Sequence, residues 1–346
     1  MAPLPRQSVK AGQEARKLED IYAPIAKDLA LNEEQIRKAL GSGNDMVAEM
    51  VAHVTQNMGK RVRSALVLLC NQACSAGKPL DPRSREQAMM LAEAVELIHN
   101  ATLIHDDIID NSPLRRGVRT LNYAWGNELS VLMGDLLFAR VFARLAAHVD
   151  GPIIVRVAQA TDELCDGEIQ EVRTRYLVTL SEGQYYDTIY KKTASLIAAS
   201  CEVGGMAAGA GEATLRALNA YGAKVGLAFQ IADDLLDLEA DEATLGKPQG
   251  HDLLEGKMTL PAILALARAT SSERAVIQEL LLEDPLQPAQ LQRAMEFIRA
   301  QGGIDLARAQ ALRLVDEARG ALAALPDSPA RRSLEDLAGF FVARKH

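Results

Sequence analysis

Two aspartate clusters have the residue type and spacing of metal ligands. HDDIID contains Asp106 and Asp110, and ADDLLD contains Asp233 and Asp237 at the same four-residue spacing. On a helix such pairs share one face with about 5 to 6 Å between their Cβ atoms, where like charges repel. If both clusters face one cavity, we expect magnesium, which takes carboxylates together with phosphates and waters. A solvated acidic helix end is the simpler interpretation of either cluster alone.

Short basic motifs supply the cations that a diphosphate needs. They are GKRVR with Lys60 and Arg63, LRRG with Arg115 and Arg116, YKKT with Lys192 and Thr193, and LGKPQGHDLLEGK with Lys247 and Lys257. Arginine binds phosphate oxygens with a planar fork, whereas lysine is a compact point charge. Each motif alone is typical of a solvated surface, so only the combination of motifs indicates a binding site.

Three of these positions stand close to the first aspartate cluster. Arg115 and Arg116 follow it across Pro113, and a turn there can fold them back over a metal-bound phosphate. His99 lies seven residues before Asp106, about two turns away on the same helical face, and can hydrogen-bond a second phosphate. A histidine satisfied within the core is the alternative interpretation of His99.

The elements that position these residues are predicted to be helices. Proline breaks helices, and no proline falls between Ile153 and Lys247. Apolar residues recur at three- and four-residue steps before the first cluster, and no comparable alternation suggests strands. We predict an all-α fold of ten or more helices with almost no sheet. Glycines predict helix breaks at Gly117, Gly167, Gly183, Gly211 and Gly246.

Composition limits the class of protein. Of 346 residues, 48% are hydrophobic and 24% charged, which is enough for a large buried core. A net charge of −8 argues against a nucleic-acid partner. Four cysteines without a CxxC pair indicate reduced thiols. We expect one domain over residues 1–346, with about residues 1–15 flexible, no transmembrane segment and a cytoplasmic location.

Taken together, the motifs resemble the trans-isoprenyl diphosphate synthase family, whose members carry two aspartate-rich motifs with GKxxR, RRG, KT, FQxxDD and GK elements in this order. The similarity runs from about Gly59 to Pro261. ELIHNATLIHDDIIDNSPLRRG is most similar to the long-chain branch that makes octaprenyl and decaprenyl diphosphates for quinone side chains. The resemblance implies a single large helical bundle of the isoprenoid synthase type around a deep central cavity, and a homodimer.

The resemblance also implies a role for each matched residue. Three magnesium ions would be held, with substrate bound, by Asp106, Asp110, Asp233 and Asp237. The allylic diphosphate would be bound by Arg115, Lys192, Thr193, Gln230, Lys247 and Lys257. Isopentenyl diphosphate would be bound by Lys60, Arg63, His99 and Arg116. The implied catalytic set is Asp106, Asp110, Lys192, Thr193, Gln230 and Asp233. Met58 and Ser64 depart from the family pattern, so we expect an altered local backbone there.

The implied chemistry is ionisation, condensation and elimination, which adds isopentenyl diphosphate to a farnesyl or geranyl starter. Ala101 and Thr102, one turn before Asp106, would line the mouth of the product tunnel, where family members with short products often carry a bulky aromatic. One turn deepens the tunnel by 5.4 Å, roughly one isoprene unit. We therefore predict a C40–C50 product for the ubiquinone side chain. The tunnel floor remains open among Ile98, Met133 and Phe138.

Four alternatives compete with this interpretation. One is a C15–C20 synthase, and another is a non-catalytic subunit of the same fold, although such subunits usually lose motif aspartates. A class I terpene cyclase usually has a second motif of the Asn/Ser/Glu type and needs no second diphosphate site. A di-iron bundle is suggested by Glu96 and His99, which form ExxH, but the second ExxH of such bundles is missing.

Overall fold

The computed structural model describes residues 16–39, 41, 44–56, 59–75, 79–240, 248–283 and 286–343. The amino-terminal segment expected to be flexible lies outside these residues, as does Lys247. Helices α1 to α17 span Leu18–Tyr22, Ala26–Ala39, Asp45–Thr55, Val62–Cys74, Pro82–Ile109, Leu121–Trp125, Asn127–His148, Gly151–Arg173, Glu182–Ile189, Ser195–Ala207, Glu212–Glu239, His251–Leu254, Leu260–Arg268, Ser271–Leu281, Pro288–Ala300, Gly303–Ala321 and Pro329–Val342. Within the described chain, no helix combines the length and apolarity that a bilayer crossing requires.

The helices form layers around α10. The two long helices that carry the aspartate clusters, α5 and α11, both pack against α10. Helices α4 and α7 cover α5, α8 covers α10, and α16 covers α11. The all-α prediction is confirmed, since the only strands among the described residues are β1, Leu114–Arg115, and β2, Val118–Arg119.

Helix α5 begins and ends where its sequence indicates. Asp81 caps it by accepting a hydrogen bond from the Ser84 backbone N–H at 3.2 Å, and Pro82 occupies the first turn, where its missing N–H costs little. The chain leaves the helix through Asn111, whose φ of 47° is left-handed. The buried positions recur as predicted, so the first aspartate cluster stands at the carboxyl end of a helix fixed in the core.

Glycines allow α11 to approach α10 at backbone contact distance. A Cβ atom at Gly222 would lie 2.6 Å from the Ala198 Cα, and one at Gly226 would lie 2.5 Å from the Ala194 Cα. Real Cβ atoms do not come this close to backbone, so both positions exclude a side chain. The register of the second aspartate cluster against α10 is fixed by this contact.

A π-helical segment, Tyr190–Ala194, joins α9 to α10 and carries the YKKT motif. Gly167 packs against it, because a Cβ there would lie 2.4 Å from the Lys192 backbone nitrogen. The prediction of a helix break at Gly167 was wrong, since this residue lies inside α8 and serves close packing instead. π-helical turns inside α-helices are frequent at functional sites.

The β1–β2 hairpin presents the two arginines of LRRG. Leu114 pairs with Arg119 and Arg115 with Val118, which leaves Arg116 and Gly117 as the two turn residues. Their φ angles are 52° and 77°, the signs that a type I′ turn requires at both positions. Glycine adopts such angles freely, whereas Arg116 is held in a conformation that side chains rarely adopt.

We predict that Gly226→Ala destabilises the protein by about 1 to 3 kcal/mol, because the added methyl group forces α10 and α11 apart. Urea unfolding followed by circular dichroism measures this. Gly183→Ala is the matched control, since Gly183 is in the first turn of α9 and its Cβ would meet open space. Equal stability of the two variants would contradict the packing argument.

Candidate active site

A cavity of about 560 Å³ lies where α5 and α11 end, and the two aspartate clusters share it. The α5 cluster contributes Asp106 and Asp110, and the α11 cluster contributes Asp233. Five more of the predicted site residues line the same cavity: Arg115, Arg116, Lys192, Gln230 and Lys257. The tertiary structure thus brings together residues that are more than 120 positions apart in sequence.

Acidic groups outnumber basic ones in this cavity. Its seven carboxyl groups belong to Asp106, Asp110, Glu171, Asp233, Asp234, Asp252 and Glu255. Its five Lys or Arg side chains are Arg115, Arg116, Arg175, Lys192 and Lys257. A diphosphate adds further negative charge, so this donor set fits a substrate that arrives with hard cations. Among the described residues, no three His, Cys, Asp or Glu side chains form a ready-made metal site, as expected where substrate phosphates complete the coordination.

Lys192 connects the π-helical segment to α8. Its ammonium group lies 2.8 Å from a Glu168 carboxylate oxygen and 2.7 Å from one of Glu171. Burial disfavours the charged amine, but the carboxylates of Glu171 and Glu168 raise the pKa of Lys192 overall. Burial also raises the pKa of Glu168 to about 7, although Lys192 opposes this. Lys192 is therefore a fixed positive charge on the cavity wall.

The two α5 aspartates stand in different electrostatic surroundings. Burial raises the pKa of Asp106 to about 6, against the opposing effect of Lys192 and Arg115. Asp110 forms a 2.6 Å ion pair with Arg175, and the Lys257 ammonium lies 3.7 Å away from it. Since Arg175 belongs to no recognised motif, the sequence offered no signal for its place in the site.

Gln230 and Thr193 belong to a chain of hydrogen bonds behind the cavity wall. The Thr193 hydroxyl donates to Gln230 Oε1 at 2.8 Å, and Gln230 Nε2 donates to Asp234 Oδ1 at 3.0 Å. The Tyr185 hydroxyl donates to the other Asp234 oxygen at 2.5 Å. Burial and the charge of Asp252 raise the pKa of Asp234 well above its usual range. This chain fixes the Gln230 amide at the cavity surface.

Asp237, predicted as a metal ligand, occupies a different setting from Asp233. It is buried, and it is not among the residues that line the cavity. Its Oδ2 accepts a hydrogen bond from the Asp252 backbone N–H at 3.2 Å, and its carbonyl accepts one from Gly250 N–H at 2.8 Å. These contacts attach the segment that carries Asp252 and Lys257 to the end of α11.

A second group of cations surrounds the buried carboxyl group of Glu96. Arg61, Arg63 and Arg116 face one another there, and burial lowers the pKa of Arg63 to about 10. Burial, together with the charges of Arg63 and Arg116, lowers the pKa of His99 well below its usual value. The surroundings of Glu96 are thus cationic rather than those of a di-iron ligand. Arg61, which is 7% exposed, was missed by the sequence analysis although it lies inside GKRVR.

Unsatisfied guanidinium nitrogens make this cationic group suited to bind an anion. The buried Nε and Nη1 of Arg61 and the buried Nε of Arg63 have no hydrogen-bond partner within the described chain. Unsatisfied buried guanidinium nitrogens are costly, and a bound phosphate would satisfy them. Arg116 belongs to this group and also lines the larger cavity, so the cationic group adjoins that cavity.

The backbone conformation around GKRVR brings these arginines together. A Cβ at Gly59 would lie 2.0 Å from Arg116 Nη1, so only glycine admits the guanidinium there. Arg61 takes a left-handed φ of 52° as the cap of α4. Ser64 donates to the Ala92 carbonyl at 2.8 Å, a bond that a proline at this position would lack. Met58 lies outside the described residues.

Three further predicted site residues do not line the 560 Å³ cavity. The exposed Lys60 ammonium is 5.7 Å from the centre of the Phe340 ring. Ala101 and Thr102 are buried in α5, and neither lines the 560 Å³ cavity. Both residues therefore lie in the packed interior next to the cavity, and their role at a tunnel mouth stays a prediction.

Comparison with known proteins identifies the family. The family model described as polyprenyl synthetase matches residues 44–298, most of the chain. The chain belongs to the polyprenyl synthetase family. It is 37% identical over 330 residues to heptaprenyl diphosphate synthase component 2 of Geobacillus stearothermophilus, which covers 95% of this chain and 100% of the relative. The resemblance drawn from the motifs is confirmed, and the protein is a trans-prenyl diphosphate synthase, hence a prenyltransferase.

Two solved structures of polyprenyl synthases share the fold. A decaprenyl diphosphate synthase from Rhodobacter capsulatus superposes with a TM-score of 0.87 at 37% identity, covering 94% of this chain and 98% of that one. A polyprenyl synthase from Caulobacter crescentus, complexed with calcium and isoprenyl diphosphate, gives 0.87 at 35% identity, covering 97% and 100%. Both similarities span nearly the whole of this chain.

We predict that Arg63→Gln raises KM for isopentenyl diphosphate about 10- to 100-fold, because a hydrogen bond to a charged group contributes about 1.5 to 3 kcal/mol. KM for the allylic substrate should change little. Steady-state kinetics with each substrate varied in turn measure both values. Arg216→Gln is the control, since Arg216 is an exposed arginine at the opposite end of α11. A larger rise for the allylic substrate would reverse the assignment of the two sites.

Proposed function

We propose that this prenyltransferase builds a long all-trans polyprenyl diphosphate of about C40–C50 from a farnesyl or geranyl starter, for the side chain of ubiquinone. The single observation that carries the proposal is the absence of a bulky side chain one turn before Asp106. Ala101 is fully buried there and carries only a methyl group. The names of the relatives differ in product length, since they include heptaprenyl and decaprenyl diphosphate synthases as well as a short chain isoprenyl diphosphate synthase.

A product of C15–C20 is the second candidate. Leu97, one turn below Ala101, and Leu137 on α7 are both fully buried and large. If these side chains do not move aside, they would stop growth after a few units. The two candidates differ in product length alone, so one assay decides between them.

We expect the wild-type protein, given magnesium, farnesyl diphosphate and labelled isopentenyl diphosphate, to yield products of eight to ten units by chromatography. Ala101→Phe should shorten the product by several units, because the ring fills the space through which the chain grows. Ala213→Phe, at an exposed position in the first turn of α11, is the control. Long products from Ala101→Phe would contradict this account of the tunnel, and C15–C20 products from the wild type would support the second candidate.

For the metal, we propose magnesium held by Asp106 and Asp110 on one side and Asp233 on the other, with three ions when substrate is bound. The role predicted for Asp237 is not part of this proposal, because Asp237 is buried and does not line the cavity. The surplus of carboxyl groups over cations in the cavity supports this assignment. When bound, magnesium would supply Lewis-acid stabilisation of the departing diphosphate. Activity that persists in excess EDTA would contradict it.

The chain's own residues support the ionisation step in a defined way. Lys192, Lys257 and Arg115 present fixed positive charge to the allylic diphosphate and stabilise it as it leaves. The role predicted for Lys247 rests on the sequence alone, because this residue lies outside the described residues. The amide of Gln230, held by Thr193, directs its dipole towards the developing allylic cation. The released diphosphate stays beside the carbocation that forms in the condensation, and we propose that it accepts the proton in the final elimination.

The cationic group around Glu96 is proposed to hold isopentenyl diphosphate. Arg61, Arg63, Arg116 and His99 surround the site, with Lys60 at its edge. A neutral His99, which its lowered pKa ensures, can donate one hydrogen bond to phosphate without adding charge. Because Arg116 also lines the larger cavity, the double bond of isopentenyl diphosphate would lie beside the allylic carbon.

We propose that the protein is a homodimer that buries the outer faces of α7 and α8. Apolar or small side chains recur along both faces at three- and four-residue steps, as in helices that pack on a partner. On α7 the exposed or half-exposed residues of this face are Leu132, Leu136, Ala139, Ala143 and Ala146. On α8 they are Val155, Ala158, Cys165, Ile169 and Val172, and the one charged residue on this face is Asp162. A twofold axis would pair these faces with their copies.

Ile169→Glu should weaken this dimer about 100-fold, because each interface carries the charge twice and a central apolar contact is lost. Sedimentation equilibrium over a range of protein concentrations measures the dissociation constant. Ile169 is 59% exposed in the single chain, and Leu312→Glu on α16, at 46%, is the control. A variant that stays as dimeric as the control would exclude this face.

A further inference from the structure

Arg175 lines the cavity and pairs directly with a proposed metal ligand, although it belongs to none of the recognised motifs. It lies two residues beyond Arg173, where α8 ends. Its Nη2 atom is 2.6 Å from Asp110 Oδ1, and the Lys257 ammonium is 3.7 Å from the same oxygen. Protein cations therefore engage the carboxylate through which Asp110 would hold magnesium.

The backbone on both sides of Arg175 is held in place. The Thr174 hydroxyl donates to the Gln170 carbonyl at 2.9 Å, and the Tyr176 N–H donates to the Gly256 carbonyl at 2.7 Å. Tyr176 has a left-handed φ of 61°, which residues with a side chain rarely adopt. A Cβ at Gly256 would lie 2.6 Å from the Tyr176 ring, so this contact requires glycine. Any movement of Arg175 is therefore a movement of its side chain alone.

The contacts of the Arg175 guanidinium satisfy only part of it. Asp110 accepts a hydrogen bond from Nη2, whereas the buried Nε has no hydrogen-bond partner within the described chain. An unsatisfied buried donor is costly. Phosphate oxygens can accept two parallel hydrogen bonds from the guanidinium fork. The chemistry of Arg175 therefore suits a phosphate group in the cavity better than its single bond to Asp110.

Lys257, the other cation beside Asp110, is anchored by further carboxylates. Its ammonium group lies 2.7 Å from a Glu255 oxygen and 3.7 Å from one of Glu171. Burial disfavours the charged amine, but the carboxylates of Glu171, Asp110 and Glu255 raise the pKa of Lys257 overall. Lys257 would therefore keep its place without Asp110, whereas the short ion pair of Arg175 depends on that carboxylate.

A magnesium ion and Arg175 would compete for Asp110. The ion takes carboxylate oxygens as ligands, and Arg175 already engages one of them. Two cations at one carboxylate also repel each other. Metal binding to the free protein therefore requires Arg175 to leave. A diphosphate that arrives with the metal offers new acceptors to the released guanidinium, so the arrangement favours binding of both together over binding of the metal alone.

From these observations we infer that Arg175 is a counter-ion that occupies Asp110 before magnesium does, and that its side chain turns to the allylic diphosphate when magnesium binds. The inference rests on the magnesium site proposed above, and it adds a residue that couples metal binding to substrate binding. Arg175 disfavours magnesium when diphosphate is absent, and it holds the diphosphate when magnesium is present.

Metal binding without substrate tests the first half of the inference. We expect Arg175→Gln to bind manganese(II) about 10-fold more tightly than the wild type does, because no cation then competes for Asp110. Manganese(II) takes the same oxygen ligands as magnesium, and electron paramagnetic resonance of the free ion gives the dissociation constant. Arg173→Gln is the matched control, since it makes the same charge change at an exposed position that does not line the cavity.

Steady-state kinetics test the second half. Arg175→Gln should raise KM for farnesyl diphosphate about 10-fold and leave KM for isopentenyl diphosphate nearly unchanged, because the lost hydrogen bonds belong to the allylic diphosphate. Arg175→Lys keeps the charge without the fork, so its KM for farnesyl diphosphate should lie between those of the wild type and Arg175→Gln. Arg173→Gln should match the wild type for both substrates.

The outcomes separate this inference from the proposed function. A residue that only supports the fold would not strengthen metal binding when it is removed. Equal or weaker manganese binding by Arg175→Gln, with weakened binding by Asp110→Asn, would overturn the inference alone. Wild-type affinity in Asp110→Asn would overturn the proposed magnesium site as well. An unchanged KM for farnesyl diphosphate in Arg175→Gln would overturn the transfer to the diphosphate. If circular dichroism shows that Arg175→Gln does not fold, the neutral Arg175→Met takes its place.

Discussion

Repulsion between carboxyl groups is the constraint around which the active site is organised. Two long helices end at one cavity, and each delivers aspartates that would force the ends apart if nothing opposed them. Lys192, Lys257 and Arg175 lie among these acids and offset part of their charge. The remaining surplus of negative charge suits a substrate that arrives with divalent cations. The repulsion that destabilises the protein without substrate therefore favours binding of the substrate together with its cations.

Close backbone packing makes this arrangement possible. Gly226 admits the π-helical segment on one side, and Gly167 admits it on the other. With larger residues at these positions, the segment that carries Lys192 could not lie between α8 and α11. These steric contacts position the Lys192 backbone, and the neighbouring carboxylates of Glu171 and Glu168 keep its amine charged although it is buried.

Helix α5 carries both the aspartates of the cavity and the residues on which the proposed product length depends. Its carboxyl end places Asp106 and Asp110 at the cavity wall. One and two turns earlier, the buried Ala101 and Leu97 lie on the same helix. Under the proposed function, product length then depends on distance along one rigid element.

The sequence by itself determined the all-α class, the family and the position of each charged motif, because helical periodicity and aspartate spacing are local properties of the chain. It gave no signal for Arg175 or Tyr185, whose places depend on contacts between distant helices. The helix break predicted at Gly167 was wrong, because a glycine that ends a helix cannot be distinguished in sequence from one that lets two helices pack closely. Only the tertiary structure decided that Asp106 and Asp233 share one cavity, because their proximity results from how α5 and α11 pack on α10.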